Sequence, residues 1–472
     1  MSLNIALPKG RLLNSTASLL ERAGWELDGY NDKLRYYRLK SGKFPDIKIK
    51  VLQEKDIPIQ IAVGNYDLGI CGLDWTEELL VKYPSSSVLK IADLGYGEGA
   101  LYAAALPGDL TDPENLASRK TITRIAGEYP NLAETLAGKL RLRRFSIFPL
   151  WGGAEVYPPE DAEIVLLPRK SEKDILAAGM VPILKVVDFK AYLIANSNSL
   201  KTKNMAHVLS SLTDLIDSKR EIPKTFHFIK GKDVPSAKSF IEVDDEIVRL
   251  ALPDGHQQSH VCRIFDKVGI RVDDYPSQTG NRRPQSNLDG YFIKVIRPQD
   301  MPLQIANGNF DLAITGRDWL IDHKYQFPNS PIKELLDLKY GWVKIVAVID
   351  EKVPVEDIKS WWQYCNEKQI VCRVATEYTN IADRYVRENR IDRYRIIPTW
   401  GATEGFIPED ADLLIENTET GGTIARHNLR IIDKLFESTA CLIGSTKIIS
   451  NDLKSKRIQF LVDALTKAME MP

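Results

Sequence analysis

A strand-like run followed by a glycine-rich turn, at positions 412–423, carries the residue types best suited to chemistry. Its sequence reads DLLIENTETGGT, and a helical pattern of apolar residues follows it. Two adjacent glycines let consecutive backbone N–H groups converge, because a residue without Cβ tolerates positive φ. The helix that follows adds the unpaired N–H groups of its first turn. The stretch therefore predicts a phosphate-binding loop.

The side chains of this stretch indicate which phosphate it would hold. Glu416, at the strand end, cannot bind phosphate but can accept hydrogen bonds from a pair of sugar hydroxyls. A carboxylate followed by hydroxyl and backbone donors suits a ribose 5-phosphate. An ordinary strand-to-helix loop that needs two glycines remains the alternative, because short motifs often occur without the function. We assign the binding to Asp412, Glu416, Thr418, Thr420, Gly421, Gly422 and Thr423, although Asp412 also suits a solvated strand start.

Composition restricts the class of protein. The chain has 472 residues, of which 44% are hydrophobic and 27% charged, as in ordinary globular proteins with several cores. A net charge of −1 supplies no general basic field, so we expect no nucleic-acid partner. Neither a signal peptide nor a run long enough for a bilayer is visible. Five scattered cysteines without a C-x-x-C pair fit a reducing compartment, so we predict a cytoplasmic protein without a membrane partner.

The chain consists of two related halves. Similar segments recur about 245 residues apart, a period that indicates a duplicated domain rather than a solenoid. We place the first repeat at 1–220, a linker rich in Lys, Pro and Asp at 221–246, and the second repeat at 247–472. The paired segments are 3–8 with 248–253, 64–68 with 308–312, 151–152 with 400–401, and 159–162 with 408–411.

Each repeat alternates short apolar strands with amphipathic helices, which predicts an α/β fold with largely parallel sheets. A second set of strands begins near residue 100, and the chain later returns to the first set, which indicates two lobes joined by a double crossover. A cleft between two such lobes is the expected ligand site. In the first repeat we predict helices at 12–23, at 57–63 and after 131, and strands at 4–7, 47–52, 68–71, 101–106, 123–126, 144–148, 164–167 and 192–195.

Five motifs together resemble a known family. They are ALPKGRL at 6–12, RPQDMP at 297–302, GNFDLAITGRDWL at 308–320, TEYTN at 376–380 and GATEGFIPEDADLLIENTETGGT at 401–423. In their order and spacing they resemble the catalytic domain of ATP phosphoribosyltransferase, the first enzyme of histidine biosynthesis. The resemblance covers nearly the whole chain, and each repeat resembles one short-form catalytic domain. It implies two tandem copies of a two-lobed α/β unit with the type II periplasmic-binding-protein-like architecture.

The phosphoribosyl loop differs between the repeats. The position of Glu416 is taken by Leu167 in the first repeat, and the loop at 418–423 corresponds to RKSEKD at 169–174. The first-repeat stretch has no glycine and contains two carboxylates, which would repel a phosphate. We therefore expect the second repeat alone to hold the phosphoribosyl group.

The basic residues differ in the opposite sense. Lys9 and Arg11 of the first repeat correspond to Asp254 and His256 in the second. Arg297 of the second repeat corresponds to Gln53 in the first. The losses are complementary, and the resemblance implies that family catalytic domains pair with active sites close to the dimer interface. We therefore expect a dimer-like pairing of the repeats in which one full site draws on both.

The resemblance implies attack by N1 of the ATP adenine on C1 of 5-phosphoribosyl diphosphate, with release of diphosphate. Such a protein must align two polyanions and stabilise the leaving diphosphate, and it needs no covalent nucleophile. We assign Lys9, Arg11 and Arg297 to the diphosphate and triphosphate charges, with solvent-facing charge as the alternative. Gly316 and Asp318 are assigned to the ATP pocket. Mg²⁺ on the diphosphate is the expected cofactor, without assigned protein ligands.

ATP and phosphoribosyl diphosphate are thus the expected small-molecule partners. A homo-oligomer and a separate regulatory subunit both stay open. Two other functions also stay open at this point. One is a non-catalytic, nucleotide-sensing regulatory paralogue, which the degeneration in both repeats favours. The other is a two-lobed solute-binding protein, against which the missing signal peptide and the ribose-phosphate loop count.

Overall fold

The structure is a computed structural model that describes residues 3–33, 37–108, 113–216, 225–228, 246–277, 280–446 and 452–471. Within these ranges, none of the helices combines the length and the apolar character that a bilayer-crossing segment needs. Most of the linker predicted at 221–246 lies outside the described residues. Its described part contains a strand, Thr225–Phe228, which pairs with the first repeat.

The first repeat forms two sheets with helices packed on them. The strands predicted there are confirmed, and the structure adds strands at Arg38–Leu39, Val88–Asp93, Val181–Phe189 and Thr225–Phe228. The sequence of Val88–Asp93, VLKIAD, carries no continuous apolar run. The strands are β1 Asn4–Lys9, β2 Arg38–Leu39, β3 Lys48–Gln53, β4 Leu68–Gly72, β5 Val88–Asp93, β6 Gly99–Ala105, β7 Thr123–Gly127, β8 Phe145–Pro149, β9 Ile164–Arg169, β10 Val181–Phe189, β11 Ala191–Asn196 and β12 Thr225–Phe228. The helices are α1 Leu13–Arg22, α2 Ile57–Ala62, α3 Leu73–Leu80, α4 Pro113–Ser118, α5 Pro130–Lys139, α6 Glu172–Ala177, α7 Ser197–Thr202 and α8 Ala206–Thr213.

The second repeat follows the same order of elements, but its described residues have no counterpart of β2 or β12 and one C-terminal helix in place of α7 and α8. Its strands are β13 Val248–Pro253, β14 Tyr291–Ile296, β15 Leu312–Gly316, β16 Ile332–Asp337, β17 Val343–Asp350, β18 Cys372–Thr376, β19 Tyr394–Pro398, β20 Leu413–Thr418, β21 Leu429–Ser438 and β22 Ala440–Ser445. Its helices are α9 Gln258–Lys267, α10 Met301–Ala306, α11 Arg317–Gln326, α12 Ile358–Glu367, α13 Thr379–Glu388, α14 Gly422–Arg426 and α15 Asp452–Glu470.

All the sheets are mixed, so the expectation of largely parallel sheets was wrong. The strand orders are β2-β3-β1-β4-β11-β5 and β12-β10-β6-β9-β7-β8 in the first repeat, and β14-β13-β15-β22-β16 and β19-β18-β20-β17-β21 in the second. β3, β1 and β4 are parallel neighbours, whereas β11 runs antiparallel to both β4 and β5. The antiparallel strands arise because the chain crosses between the two sheets at β5–β6 and returns at β10–β11. The two-lobed α/β prediction is thus confirmed.

In the lobe that carries the candidate loop, the core buries one face of β20. Ile345 of β17 packs with Leu413 and Ile415 of β20 in one buried cluster. Helix α13 closes this cluster with residues spaced four apart, such as Ile381 and Tyr385. Because successive side chains of a strand point to opposite faces, Glu416 and Thr418 lie on the face opposite this core, where they are half-buried and Leu414 is buried.

The compact units of the chain differ from the sequence repeats by two short segments. The first unit contains Met1–Pro149, Ala162–Ser239 and Thr399–Asp410. The second unit contains Leu150–Asp161, Phe240–Pro398 and Ala411–Pro472. We call 150–161 the first arm and 399–410 the second arm. Each repeat therefore contributes an arm to the unit that is built mainly from the other repeat.

Each arm ends in a carboxylate pair that neutralises a buried lysine. In the second unit, Nζ of Lys294, a residue only 1% exposed, lies 2.6 Å from Asp161 and 2.8 Å from Glu160 of the first arm. In the first unit, Nζ of Lys50 lies 2.8 Å from Asp410 of the second arm. Removing one partner of a buried ion pair leaves an uncompensated charge, which is strongly destabilising. The arms are therefore integral parts of the units that receive them.

The arm carboxylates predict acid sensitivity. Burial alone would raise the pKa of Glu160, but hydrogen bonds from Arg283 and the charge of Lys294 outweigh it and lower the pKa to about 2. A depressed pKa contributes stability that is present above the ordinary value near 4.5 and is lost as the pH falls towards 2. After allowance for solvent screening, we expect a contribution on the order of 2 kcal/mol.

Thermal unfolding of the wild type and of Glu160→Gln at pH 7, 5 and 3 measures this contribution. The wild type should lose melting temperature between pH 5 and 3, and the variant should start lower at pH 7 and lose less. Parallel pH profiles of the two proteins would contradict the prediction.

Candidate active site

The candidate phosphate loop lies between β20 and α14. Gly421 precedes the helix with a φ of 77°, the left-handed region that glycine adopts without strain. Its N–H is donated to Oγ1 of Thr418 at 2.9 Å, and the N–H of Gly422 to Oγ1 of Thr420 at 3.4 Å. The N-cap residue of α14 is Gly421, which has no side chain to accept hydrogen bonds from the first turn. The loop is therefore shaped by its own threonines, and the helix start remains open to an external acceptor.

Glu416 and Thr418 lie on one face of β20, because residues two apart on a strand point the same way. They are about 7 Å apart along the strand. The other face carries Leu413 and Ile415 into the core. Glu416 is half-buried, and its Oε1 accepts the N–H of Asn417 at 3.0 Å. The Glu416 carboxylate and the Thr418 hydroxyl thus lie on one side of the strand, an order compatible with a ribose 5-phosphate.

The corresponding loop of the first repeat is capped by its own carboxylate. Oδ2 of Asp174 accepts hydrogen bonds from the N–H and the Oγ of Ser171, at 2.9 and 3.0 Å, in a capping box at the start of α6. Leu167, at the position of Glu416, is buried. Asp174 therefore adds a charge that repels phosphate, and its carboxylate also accepts hydrogen bonds at the start of α6 that a bound anion would otherwise accept.

Gly316 and Asp318, assigned from the sequence to the ATP pocket, belong to a buried network. Asp318 accepts hydrogen bonds from the Tyr378 hydroxyl at 2.5 Å and from the Ser438 hydroxyl at 2.9 Å. Burial raises the pKa of Asp318, although these donors act in the opposite direction. Any Cβ at Gly316 would collide with the Asp318 carboxylate. Nδ2 of Asn417 donates to the Tyr378 hydroxyl at 2.9 Å. The network therefore positions Asn417, which follows Glu416, the candidate acceptor of the sugar hydroxyls.

Sequence reasoning missed two members of this network, Tyr378 and Ser438. Tyr378 belongs to the TEYTN motif, which was the available signal. No sequence motif indicated Ser438, because its hydrogen bond to Asp318 joins two segments that meet only in the folded chain. The first arm also reaches the network, since Trp151 lies edge-on to Trp319 with ring centroids 5.8 Å apart. Trp319 in turn packs on Tyr378 at 4.4 Å, so a residue of the first repeat supports the second repeat's network.

Lys9 and Arg11, the two basic residues assigned to substrate charges in the first repeat, lie in different environments. Nη2 of Arg11 lies 2.6 Å from Glu54 and 2.7 Å from Asp74, both buried. Burial acts to lower the pKa of Arg11, but Asp74 and Glu54 outweigh it and raise the pKa. Lys9 instead meets a phenol, with Nζ 3.2 Å from the Tyr37 hydroxyl. Lys9 is thus better placed than Arg11 to take an incoming anion.

Replacing Lys9 and Arg11 separately should therefore give different defects. Arg11→Ala leaves two buried carboxylates unpaired and should cost about 3 kcal/mol of stability. Lys9→Ala should lower turnover without lowering the melting temperature, because it breaks no ion pair with a carboxylate. Thermal unfolding and steady-state kinetics on both variants, with Lys9→Arg as the matched control, separate the two effects. An equal loss of melting temperature in both would contradict this assignment.

Arg297 shares a carboxylate with a second arginine. Oδ2 of Asp254 lies 3.3 Å from Nε of Arg297 and 2.9 Å from Nη1 of Arg282. One carboxylate between two guanidinium groups leaves a net positive charge. The Arg297 side chain is also 44% exposed, so its guanidinium is accessible. Asp254, which replaces Lys9, therefore organises the second repeat's arginines rather than merely removing a charge.

Asp412 is not brought together with the other loop residues. It precedes β20, whereas Glu416 lies about 13 Å further along the strand. Its Oδ1 lies 2.9 Å from Nη2 of Arg373, and its Oδ2 accepts the Arg373 N–H at 2.9 Å. Asp412 therefore begins the strand, as in the alternative stated above, but it is paired with Arg373 rather than solvated alone.

The residues of the described ranges do not fit a protein-held Mg²⁺ ion. They contain no group of three or more His, Cys, Asp or Glu side chains arranged to hold a metal. All five cysteines are free thiols.

Comparison with known sequences identifies relatives of each half. The family model described as HisG, ATP phosphoribosyltransferase, matches residues 53–218 and 297–467. ATP phosphoribosyltransferase from Chlorobaculum parvum is 28% identical over 230 residues, which cover 48% of this chain and 72% of the relative. The enzyme from Prosthecochloris aestuarii is 29% identical over 229 residues, again 48% of this chain and 72% of the relative.

Solved structures with a similar course of the chain include one subunit of the ATP phosphoribosyl transferase HisG:HisZ complex from Thermotoga maritima. It is 21% identical, covers 48% of this chain and 99% of that one, and has a TM-score of 0.38. The periplasmic domain of BvgS from B. pertussis is 10% identical, covers 99% of this chain and 90% of that one, and has a TM-score of 0.29.

The family match and the sequence relatives define a phosphoribosyltransferase. The chain belongs to the ATP phosphoribosyltransferase family of histidine biosynthesis, because the family model matches most of its length in two successive segments. The recognition made from the sequence motifs is therefore confirmed, as is the assignment to an enzyme.

Proposed function

We propose that this chain transfers the 5-phosphoribosyl group from phosphoribosyl diphosphate to N1 of ATP, and that the second repeat alone holds that group. The observation that carries the proposal is the contrast between the two loops. Gly421 starts α14 without a side-chain cap, whereas Asp174 supplies a carboxylate at the start of α6. An anion already bound by the chain excludes a second anion from the same donors.

The proposed roles of the site residues follow from their charges. In this proposal Glu416 accepts hydrogen bonds from the ribose hydroxyls, and the loop at 418–423 donates to the 5-phosphate. Arg297 and Lys9 stabilise the diphosphate and triphosphate charges, which is the main demand of a reaction whose leaving group is an anion. Arg11 orders its two acidic neighbours, and Asp318 positions the strand end through Tyr378. Asp412 stays a structural member of β20.

The remaining parts of the proposal concern cation, compartment and partners. Mg²⁺ enters bound to the diphosphate, whose oxygens are its ordinary ligands, rather than as a resident ion. Free thiols and a biosynthetic activity support the cytoplasm as the compartment. The dimer-like pairing of the repeats is supported by the exchange of arms with carboxylate pairs.

The proposal predicts one phosphoribosyl diphosphate site per chain. Isothermal titration calorimetry with Mg²⁺ present should give a stoichiometry of one, and diphosphate release should require both ATP and phosphoribosyl diphosphate. Two equivalent sites would show that the loop at 169–174 binds phosphate despite its cap. Binding without diphosphate release would favour the nucleotide-sensing paralogue, the alternative that the capped first loop supports.

A further inference from the structure

Two cations that lie outside the predicted loop flank it in the fold. Lys344 of β17 is the antiparallel register partner of Thr418, the first loop residue. Directly opposed side chains have Cβ atoms about 5 Å apart and share one face of the sheet. Lys344 therefore projects on the same side as Glu416 and Thr418, and it is exposed. Among the described residues it makes no side-chain hydrogen bond or ion pair.

Arg426 approaches the loop from its other end. It is the last residue of α14, and its Nη2 donates to Oγ1 of Thr423 at 3.0 Å. Its Nε donates to the carbonyl oxygen of Gly422 at 3.3 Å. These two contacts hold an exposed guanidinium against the first turn of the helix. Its remaining donors face solvent beside the loop.

The first repeat lacks both cations. Ala100 of β6 pairs with Arg169 in the register position that Lys344 and Thr418 occupy in the second repeat. Ala177, the last residue of α6, stands where Arg426 ends α14. The loop that is capped by its own Asp174 thus has alanine at both flanking positions. Cations at these two flanking positions therefore occur only beside the loop of the second repeat.

We propose that Lys344 and Arg426 bind the 5-phosphate of the phosphoribosyl group together with the loop. This inference rests on the proposed function and adds the charge that the loop lacks. Backbone N–H groups and threonine hydroxyls are neutral donors, whereas a phosphate monoester carries close to two negative charges at neutral pH. Charge-assisted hydrogen bonds from lysine and arginine are about twice as strong as neutral ones. One cation at each end of the loop completes such a cradle.

Among the described residues, no acidic side chain forms an ion pair with Lys344 or Arg426. Glu437 is the register partner of Lys344 on the β21 side, but its Oε1 is held by Nζ of Lys434 at 3.1 Å. Glu419 lies exposed within the loop. Lys344, Lys434 and Arg426 balance Glu416, Glu419 and Glu437, so the positions of the two cations at the ends of the loop, and not a net positive field, favour the phosphate.

The test compares Lys344→Ala, Arg426→Ala and the double variant with the wild type. Each single variant should raise KM for phosphoribosyl diphosphate about tenfold, the usual effect of losing one charge-assisted hydrogen bond. KM for ATP and kcat should stay within about twofold, because the interaction is equal in ground and transition states. Calorimetry with ribose 5-phosphate should show the same loss of affinity. Lys344→Arg should retain most of it.

Matched controls come from the same repeat. Arg395→Ala and Lys333→Ala remove exposed cations from strands β19 and β16, away from the loop, and should leave both KM values unchanged. All these side chains are exposed, so the variants should keep the wild-type melting temperature.

Three results would overturn the inference. The loop variants could match the controls, or raise KM for ATP instead, or weaken inhibition by diphosphate while leaving ribose 5-phosphate binding intact. Each would place the two cations elsewhere than on the 5-phosphate. A wild-type protein that releases no diphosphate would instead reject the proposed function, so the two failures are distinguishable.

Discussion

Glu416→Ala and Thr420→Ala should each lower kcat/KM by about 10²-fold or more, as losses of contacts to charged substrates typically do. Glu416 is half-buried at the end of β20, and its removal leaves two sugar hydroxyls without an acceptor. Thr420 loses the hydroxyl that holds the N–H of Gly422 and so loosens the loop. Both side chains lie outside the core, so melting temperature should change little. Steady-state diphosphate release and thermal unfolding measure the two quantities.

The first repeat supplies the matched control. Ser171→Ala removes the hydroxyl at the position of Thr420 and should cost only about 1 kcal/mol of stability, the usual cost of a lost cap. Leu167→Ala is a poorer control, because this buried side chain should cost about 2–5 kcal/mol when truncated. If Ser171→Ala impaired turnover as much as Thr420→Ala, the assignment of the phosphoribosyl group to the second repeat would be wrong.

The order of elements around the loop was predictable because its physical signals are local. The apolar run of β20, the two glycines and the helical pattern after them are contiguous in sequence. The structure has β20 at Leu413–Thr418 and α14 at Gly422–Arg426, with Gly421 in the left-handed region between them. The internal repeat was predictable for the same reason, since whole motifs recur. The residue-level roles in the site remain predictions.

Contacts between distant segments were not predictable. Lys50 appeared only within the strand predicted at 47–52, and Lys294 carried no prediction. Glu160, Asp161 and their second-repeat counterparts appeared only within the paired segments 159–162 and 408–411. Their pairing spans more than a hundred residues and depends on which unit each arm enters. A one-dimensional pattern contains no signal for such an exchange.

The charges of the site illustrate the same limit. Arg11 was assigned to substrate on residue type and motif, yet Glu54 and Asp74 reach it from two other elements. Lys344 was overlooked because its only link to the loop is a strand register. Residue type thus indicates that a charge is available, and only the fold decides whether a carboxylate or a ligand receives it.

Separate expression of residues 1–235 and 236–472 should give two inactive proteins. The second half lacks the first arm, so Lys294 loses Glu160 and Asp161 and remains buried without a partner, an effect worth about 3–5 kcal/mol. The first half likewise loses the partner of Lys50. The second half can nevertheless fold by pairing with a second copy of itself. When two copies exchange their arms, Glu409 and Asp410 take the places of the missing Glu160 and Asp161 beside Lys294.

Activity rather than folding is therefore the decisive measurement. A second half that pairs with itself still lacks Lys9, for which it carries Asp254, and the first half lacks Glu416 and the open loop. Neither half alone has the charges that two polyanions require. Mixing the halves should restore diphosphate release, with a rate that rises with the concentration of both. Fusion of the halves removes this concentration dependence, because linked partners meet at a fixed effective concentration.

Two variants of the first half separate the causes of rescue. Asp161→Asn should weaken association, so that rescue needs a higher concentration but reaches the same maximal rate, because it weakens only the ion pair with Lys294. Lys9→Ala should leave association unchanged and abolish the rescued turnover, because it removes a charge that the reaction uses. A second half that is active alone, or a rescue indifferent to Lys9, would refute the requirement for both repeats and leave the first as a structural or regulatory partner.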